Sequence, residues 1–272
     1  MRRLTAALRR SPRTASLLDG DLLDVADVDP IHEAFAPMVR SLRYDVSELA
    51  VATLLQAVEA GVPIAALPVV LVGNFPHRSL YVCEGRRIDP PDLRGRRVGV
   101  RAYSQTTGLW ARGVLSDTYG VPSREVTWVT TEGSHVAGVP EPANVERTSQ
   151  NLVGALREGD LAAVVLGRPF AEKVGGIVPL IPDWETQQEK FFDRHGWVPA
   201  NHLVVVKRDL LRSEPDLIRR VYHGLGTGRG VSPALLDMLG TAIRYAHEQQ
   251  VIRRDLDAAE LFADFETYVG QE

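Results

Sequence analysis

The sequence predicts an α/β protein built on one mostly parallel sheet or on two of them, and three observations carry that expectation. Short apolar runs rich in β-branched residues alternate with stretches of helical period along the whole chain. Glycine, proline and small polar residues punctuate the joins. Across 272 residues, 44% are hydrophobic, enough to bury a sizeable core in one large domain or two small ones. With 24% charged and 7% aromatic residues, disorder, collagen-like repeats and coiled coil are set aside.

Taken in order, residues 4–8 read as a first strand, followed by the basic loop Arg9, Arg10, Ser11, Pro12, Arg13. Residues 31–43 place Ile31, Phe35, Met38, Val39 and Leu42 at helical spacing. A short strand at 44–48 breaks into a polar turn, and a helix over 49–60 stops at Gly61, where a C-cap glycine belongs. Residues 64–72 and 80–82 are strand-like. A turn at 92–95 leads into a strand at 96–100, and a helix is expected over 108–119. A strand at 126–130, a helix at 152–158 and a strand at 161–166 come next, then a helix at 184–195 and a strand at 203–207. Pro215 opens a helix at a tolerated first-turn position, and helices over 232–249 and 257–265 close the chain. The glycine-rich stretch 224–230 contains a G-x-G pattern, but a helix precedes it where a dinucleotide loop needs a strand, so it reads as a flexible connector.

Charge and cysteine usage narrow the function classes. The 31 basic and 35 acidic residues leave a net charge of −4, too little positive field to hold a polyanion, so nucleic acid is not expected as a partner. Only Lys173, Lys190 and Lys207 are lysine, and so arginine-heavy a chain lowers the information in any one arginine. The single Cys83 permits no internal disulfide and reads as a buried, inert thiol. The apolar stretch behind Met1, Arg2 and Arg3 is too short for a signal peptide, and the run 62–72 carries Pro63 and Pro68 and cannot span a bilayer. A cytoplasmic protein without membrane partners is the expectation.

One local pattern suggests chemistry. After the strand at 96–100 come Tyr103, Ser104, Gln105 and Thr106 at the start of a helix. The first N–H groups of a helix are unpaired and its dipole favours negative charge there, so such a junction can bind an anion. A plain N-cap role for Ser104 or Thr106 fits equally well. No metal site is expected, because the seven histidines show no H-x-x-x-H or H-E-x-x-H spacing, and Asp24, Asp27 and Asp29 lack the glycine and distal glutamate of a calcium loop. No G-x-S-x-G nucleophile motif occurs. The loop Glu132, Gly133, Ser134, His135 reads as an exposed loop or as part of a cleft.

Several segments together resemble the 4,5-dihydroxyphthalate decarboxylase family. They are residues 44–49, Leu80 to Val82, the string from Asp92 to Val100, and Tyr103 with Thr106, Trp110, Arg112 and Gly113. Pro182 and Asp183, Asn201 and His202, Arg244 to Glu248, and Glu260 to Phe262 extend the resemblance over nearly the whole chain. It implies the fold of type II periplasmic binding proteins, two α/β lobes joined by crossing hinge strands. Lobe one would comprise residues 1–97 and 204–272, and lobe two residues 98–203. The turns after Leu8, Val46, Val100 and Leu166 lie at carboxyl ends of strands, where open α/β sheets bind ligands.

The chain also departs from the family pattern. Phe75 and His77 match, but two family arginines correspond to Gly73 and Pro76. The first loop, acidic in the family, is basic here, and the chain is shorter around 224–231. The resemblance implies a cofactor-independent lyase acting on a small aromatic or cyclic carboxylic acid, decarboxylating it by ring protonation. Histidine suits the proton steps because it titrates near operating pH. His77, His202 and Glu48 are therefore the expected catalytic residues. Ser104, Gln105, Thr106 and Tyr103, with Arg10, Ser11, Ser47, Arg168 and Asn201, are expected to bind a small anionic organic ligand in the interlobe cleft. A non-catalytic solute-binding or metabolite-sensing protein of the same fold is the alternative, and a homo-oligomer stays open.

Overall fold

The computed structural model describes residues 2–86, 88–226 and 230–270. Its elements begin with strand β1 (Leu4–Ala7), helix α1 (Ala15–Leu18), β2 (Leu23–Val25), α2 (Phe35–Ser41), β3 (Val46–Ala50), α3 (Val51–Glu59) and β4 (Ile64–Gly73). β5 (Leu80–Cys83), β6 (Arg97–Ala102), α4 (Thr106–Tyr119), β7 (Thr127–Glu132) and β8 (Val145–Arg147) follow. Then come α5 (Leu152–Glu158), β9 (Ala163–Val165), α6 (Arg168–Ala171), β10 (Ile177–Pro179) and α7 (Trp184–His195). β11 (Ala200–Lys207), α8 (Arg208–Ser213), α9 (Pro215–Gly224), α10 (Pro233–Glu248) and α11 (Ala263–Tyr268) complete the chain.

The strands form two sheets. The first has the order β2-β1-β3-β11-β4 and the second the order β10-β5-β9-β6-β7-β8. β1 runs parallel to β2 and β3, while β11 is antiparallel to β3 and β4. β4 therefore carries the chain out of the first sheet, and β11 brings it back. The pairing of β11 with β4 shifts register around His202 and Leu203. Pro68, which has no N–H for a ladder, falls inside the skipped stretch between Leu67 and Val70.

The expected lobe boundaries differ from the sheet boundaries. β5, placed by the sequence in lobe one, pairs with β9 and β10 in the second sheet, so the sheets change just after β4 rather than at residue 97. All of β11 from Ala200 onward belongs to the first sheet, ahead of the expected return at 204. The polar turn expected after residue 46 is also absent. Ser47 and Glu48 lie inside β3, which is buried over its whole length between β1 and β11. A polar residue reads as a turn signal only when water is its partner, and here the partner is protein. The helix expected over 31–43 divides into a 3₁₀ turn (Ile31–Ala34) and α2, which ends at Leu42 with a left-handed φ of 49°. The connector at 224–230 lies in part outside the described residues.

One apolar cluster runs from Leu54 on α3 through Trp110 on α4 to Leu239 on α10, so helices between the two sheets share a single core. Gly113 makes that contact close: a Cβ there would come within 2.1 Å of the Tyr245 ring. A second cluster lies on the other side of the first sheet and is closed by α9, whose Leu217, Ile218 and Val221 are buried. Cys83 is partly buried, and its thiol donates to the Leu156 carbonyl at 3.4 Å. No helix among the described residues is long and apolar enough to cross a membrane.

Candidate functional site

A cavity of about 970 Å³ is walled from both sheets. Leu8, Arg9 and Arg10, residues 25–32, Phe35 and His202 come from elements of the first sheet and its loops. Arg101, Ser104 to Thr107, His135, Val165 to Gly167, Pro169 and Phe170 come from the second. Most of these residues follow the carboxyl ends of strands, the expected place for a ligand.

The centre of the first-sheet wall is an ion cluster. Glu48 and His202 are diagonal neighbours across β3 and β11, because His202 registers against Ala50 and Val204 against Glu48. His202 Nδ1 lies 2.5 Å from Glu48 Oε1. Arg9 sets its Nε 2.8 Å from the same oxygen, and its backbone N–H donates to Oε2 at 3.2 Å. The Glu48 side chain is fully buried. Burial alone would raise its pKa, but the hydrogen bond from His202 and the charges of His202 and Arg9 outweigh it and hold the carboxyl below its ordinary range. An ionised Glu48 against Nδ1 fixes the imidazole orientation and leaves Nε2 as the nitrogen free for chemistry at the cavity.

Two more imidazoles stand at the wall. His135 is buried, with Nδ1 2.9 Å from the Thr53 hydroxyl, and burial lowers it to about 4. His32 is likewise lowered, first by burial and then by Arg101. Both are neutral at pH 7. Phe35 turns its ring edge-on to His135 and to His202, at centroid distances of 5.6 and 5.2 Å.

The second-sheet wall is the start of α4. Its N-cap residue, Gln105, makes no side-chain cap. Ser104 Oγ and Gln105 Oε1 are both buried without a hydrogen-bond partner, and Ser104 is only 3% exposed. Leaving such groups unpaired costs free energy that a polar ligand would recover. Thr106 has a different duty: its hydroxyl accepts from the Ala52 N–H at 3.0 Å and ties the start of α4 to that of α3.

The other expected site residues fall elsewhere. His77 is buried against Phe75 and Phe191, away from the cavity wall, and desolvation lowers it to about 4. The structure thus places the His77 ring off the cavity wall, whereas the sequence expected it in the cleft, and its Nδ1 is buried without a hydrogen-bond partner. Tyr103 is buried, its hydroxyl 2.8 Å from both Ser123 Oγ and the Gln249 carbonyl. Ser47 donates to the Glu48 carbonyl at 2.8 Å from inside β3. Asn201 reaches Thr107 at 3.4 Å from behind the wall. Ser11 closes a local turn with Thr14. Arg168 lies off the cavity wall, solvent-exposed and paired with Glu172 at 2.8 Å, and Arg10 lines the cavity but is engaged by Asp19. None of Tyr103, Ser47, Asn201, Ser11 and Arg168 is on the cavity wall, and Asn201 Oδ1 is buried without a hydrogen-bond partner.

Sequence reasoning missed Arg9, Arg101, His32 and Phe35 as cavity residues. Arg101 near the end of β6 sits where the strand-end rule points, but 28 arginines (31 basic residues less three lysines) hide any one of them. Among the described residues, no group of three His, Cys, Asp or Glu side chains is placed to hold a metal ion.

No protein-family model matches the chain. Two curated relatives do. A 4,5-dihydroxyphthalate decarboxylase of Pseudomonas putida is 32% identical over 181 residues, covering 60% of this chain and 69% of that protein. One of Comamonas testosteroni is 28% identical over 240 residues, covering 79% and 71%. Among solved structures, the desulfurization enzyme DSZB superposes with a TM-score of 0.56 at 17% identity over 96% of each chain. The alkanesulfonate-binding protein SsuA of Xanthomonas axonopodis pv. citri, bound to MOPS, gives 0.52 at 13% identity over 88% of this chain and 86% of that one. At those identities the structural likeness speaks to the fold, which is the two-lobed fold of type II periplasmic binding proteins.

Proposed function

The chain belongs to the 4,5-dihydroxyphthalate decarboxylase family, and on that premise we propose that it removes CO2 from a small hydroxylated aromatic acid, without a cofactor, in the cavity between its two sheets. The observation that carries this reading is the Glu48–His202 pair at 2.5 Å in the cavity wall. The relatives are named for a ring bearing two carboxylates and two hydroxyls. A volume of about 970 Å³ holds such a ring with room for water.

One carboxylate of the substrate docks at the start of α4, taking the Ser104 hydroxyl and the unpaired N–H groups of the first turn. Arg9, paired with Glu48, and Arg101, paired with Glu132, also line the cavity. Protonated His202 delivers the Nε2 proton to the ring carbon that bears the other carboxylate. The C–C bond to that carboxylate then breaks, its electron pair restores the aromatic ring, and CO2 leaves. The neutral imidazole takes a proton from water, and the ionised Glu48 faces the positive ring so formed. A ring hydroxyl supplies electron density during the first step, and neutral His135 is the group at the wall suited to accept its hydrogen bond. His77 takes no part.

The test is a paired assay on a panel of hydroxylated aromatic mono- and dicarboxylates. His202→Gln keeps the ring-sized side chain without an acid and should cost about 100-fold or more in kcat. His77→Ala, checked as folded, should keep most of the activity. A His202→Gln enzyme with wild-type kcat on a substrate the wild type decarboxylates would overturn the reading.

A further inference from the structure

We propose that Arg112, which reaches no ligand itself, is the positioning residue that makes the start of α4 select an anion, because its buried guanidinium has no counterion in the protein and the ligand's carboxylate supplies one. The inference rests on the anion placement under the proposed function and adds the residue that enforces it.

Arg112 is 1% exposed. Its Nε donates to Gln249 Oε1 at 2.6 Å and its Nη2 to the Tyr103 carbonyl at 2.7 Å, while Nη1 has no hydrogen-bond partner. Both acceptors are neutral, and among the described residues no carboxylate is in ion-pair distance. The rings of Tyr103 and Trp128, 4.1 and 5.2 Å from Cζ, give the cation π-faces in place of a counter-charge. Burial lowers Arg112 to about 10, so it stays charged at neutral pH. Buried charges in proteins are ordinarily paired, and this one is not.

Its position makes the unpaired charge useful. Tyr103, whose carbonyl it holds, immediately precedes Ser104 in the cavity wall. Gly108 is in the first turn of α4, and a Cβ there would lie 3.1 Å from Nη1. Glycine thus makes room for the guanidinium directly beneath the helix start. The helix dipole and a full positive charge act there with the same sign, and the surrounding side chains screen neither as water would.

The decisive variant leaves the arginine in place and gives it a counterion. Gln249→Glu puts a carboxylate at the oxygen that already accepts from Nε. Phthalate and its neutral analogue phthalamide are the probes, with dissociation constants read by calorimetry. The expected result is that Gln249→Glu weakens phthalate about tenfold and phthalamide less than twofold. Arg112→Met should do the same, and Arg112→Lys should restore most of the phthalate affinity, which a purely structural role would not separate by ligand charge. Equal losses for both probes, or unchanged phthalate binding in Gln249→Glu or in folded Arg112→Met, would overturn the proposal. Ser104→Ala tells the two failures apart. If it weakens phthalate while Gln249→Glu does not, only the role of Arg112 falls. If it leaves phthalate untouched, the anion site falls and the inference falls with it.

Discussion

Two histidines that share strand-flanking sequence contexts end in opposite environments. His202 has a buried carboxylate 2.5 Å from Nδ1 and the cavity in front of it, whereas His77 has phenyl rings and a lowered pKa of about 4. That shift has a signed consequence. Between the ordinary value of 6.5 and about 4, the unfolded chain binds a proton at His77 that the folded chain refuses, so stability falls as pH drops through that window. Urea unfolding of a His77→Leu protein should therefore show a loss between pH 7 and pH 5 smaller than the wild type's by roughly 2 kcal/mol. An equal loss in both proteins would mean that His77 is hydrated or paired. His135 contributes a parallel slope that the variant retains. The residue types at both positions were legible in the sequence as candidate proton carriers. Which one lines the cavity was not, because that depends on Phe191 from α7 and Glu48 from β3, which lie more than a hundred residues away in the chain.

At the scale of elements, α4 links cavity and core. Its first turn faces the cavity, and its third turn packs on α10, where Gly113 meets the Tyr245 ring. Gly113→Ala has no room for a methyl group between two helices held by the shared core, and should destabilise by about 3 kcal/mol in chemical denaturation. A cost below about 1 kcal/mol would show that α10 can shift away. The strand-to-helix junction that begins α4 was legible from its hydroxyl and amide residues after an apolar run, although the helix starts at Thr106 rather than 108. β3 was the harder element. Ser47 and Glu48 carry turn-like polarity in a strand whose two neighbours, β1 and β11, were invisible to local periodicity. Glu48 in particular is tolerated only because Arg9 and His202 arrive from those neighbours.

The whole molecule places its candidate site where two sheets meet, so residues from Leu8 to His202 must be assembled before the cavity exists. The alternation of strands and helices announced an α/β fold, and the resemblance announced its division into lobes. Local pattern could not supply the point of division, because β5 reads as one more strand after β4 until its partners β9 and β10 are known. The same assembly links binding to stability: a ligand that binds only the closed, native cavity raises the unfolding midpoint in proportion to its saturation. The central claim is that this cavity breaks a carbon–carbon bond and does not merely hold an aromatic acid. It is tested most directly by incubating the wild-type protein with 4,5-dihydroxyphthalate labelled in its carboxyl carbons and counting the labelled CO2 released. The account predicts one equivalent of CO2 per substrate consumed, slowed about 100-fold in His202→Gln at saturating substrate. Tight binding of the labelled acid with no CO2 released would contradict it and leave a solute-binding protein in its place.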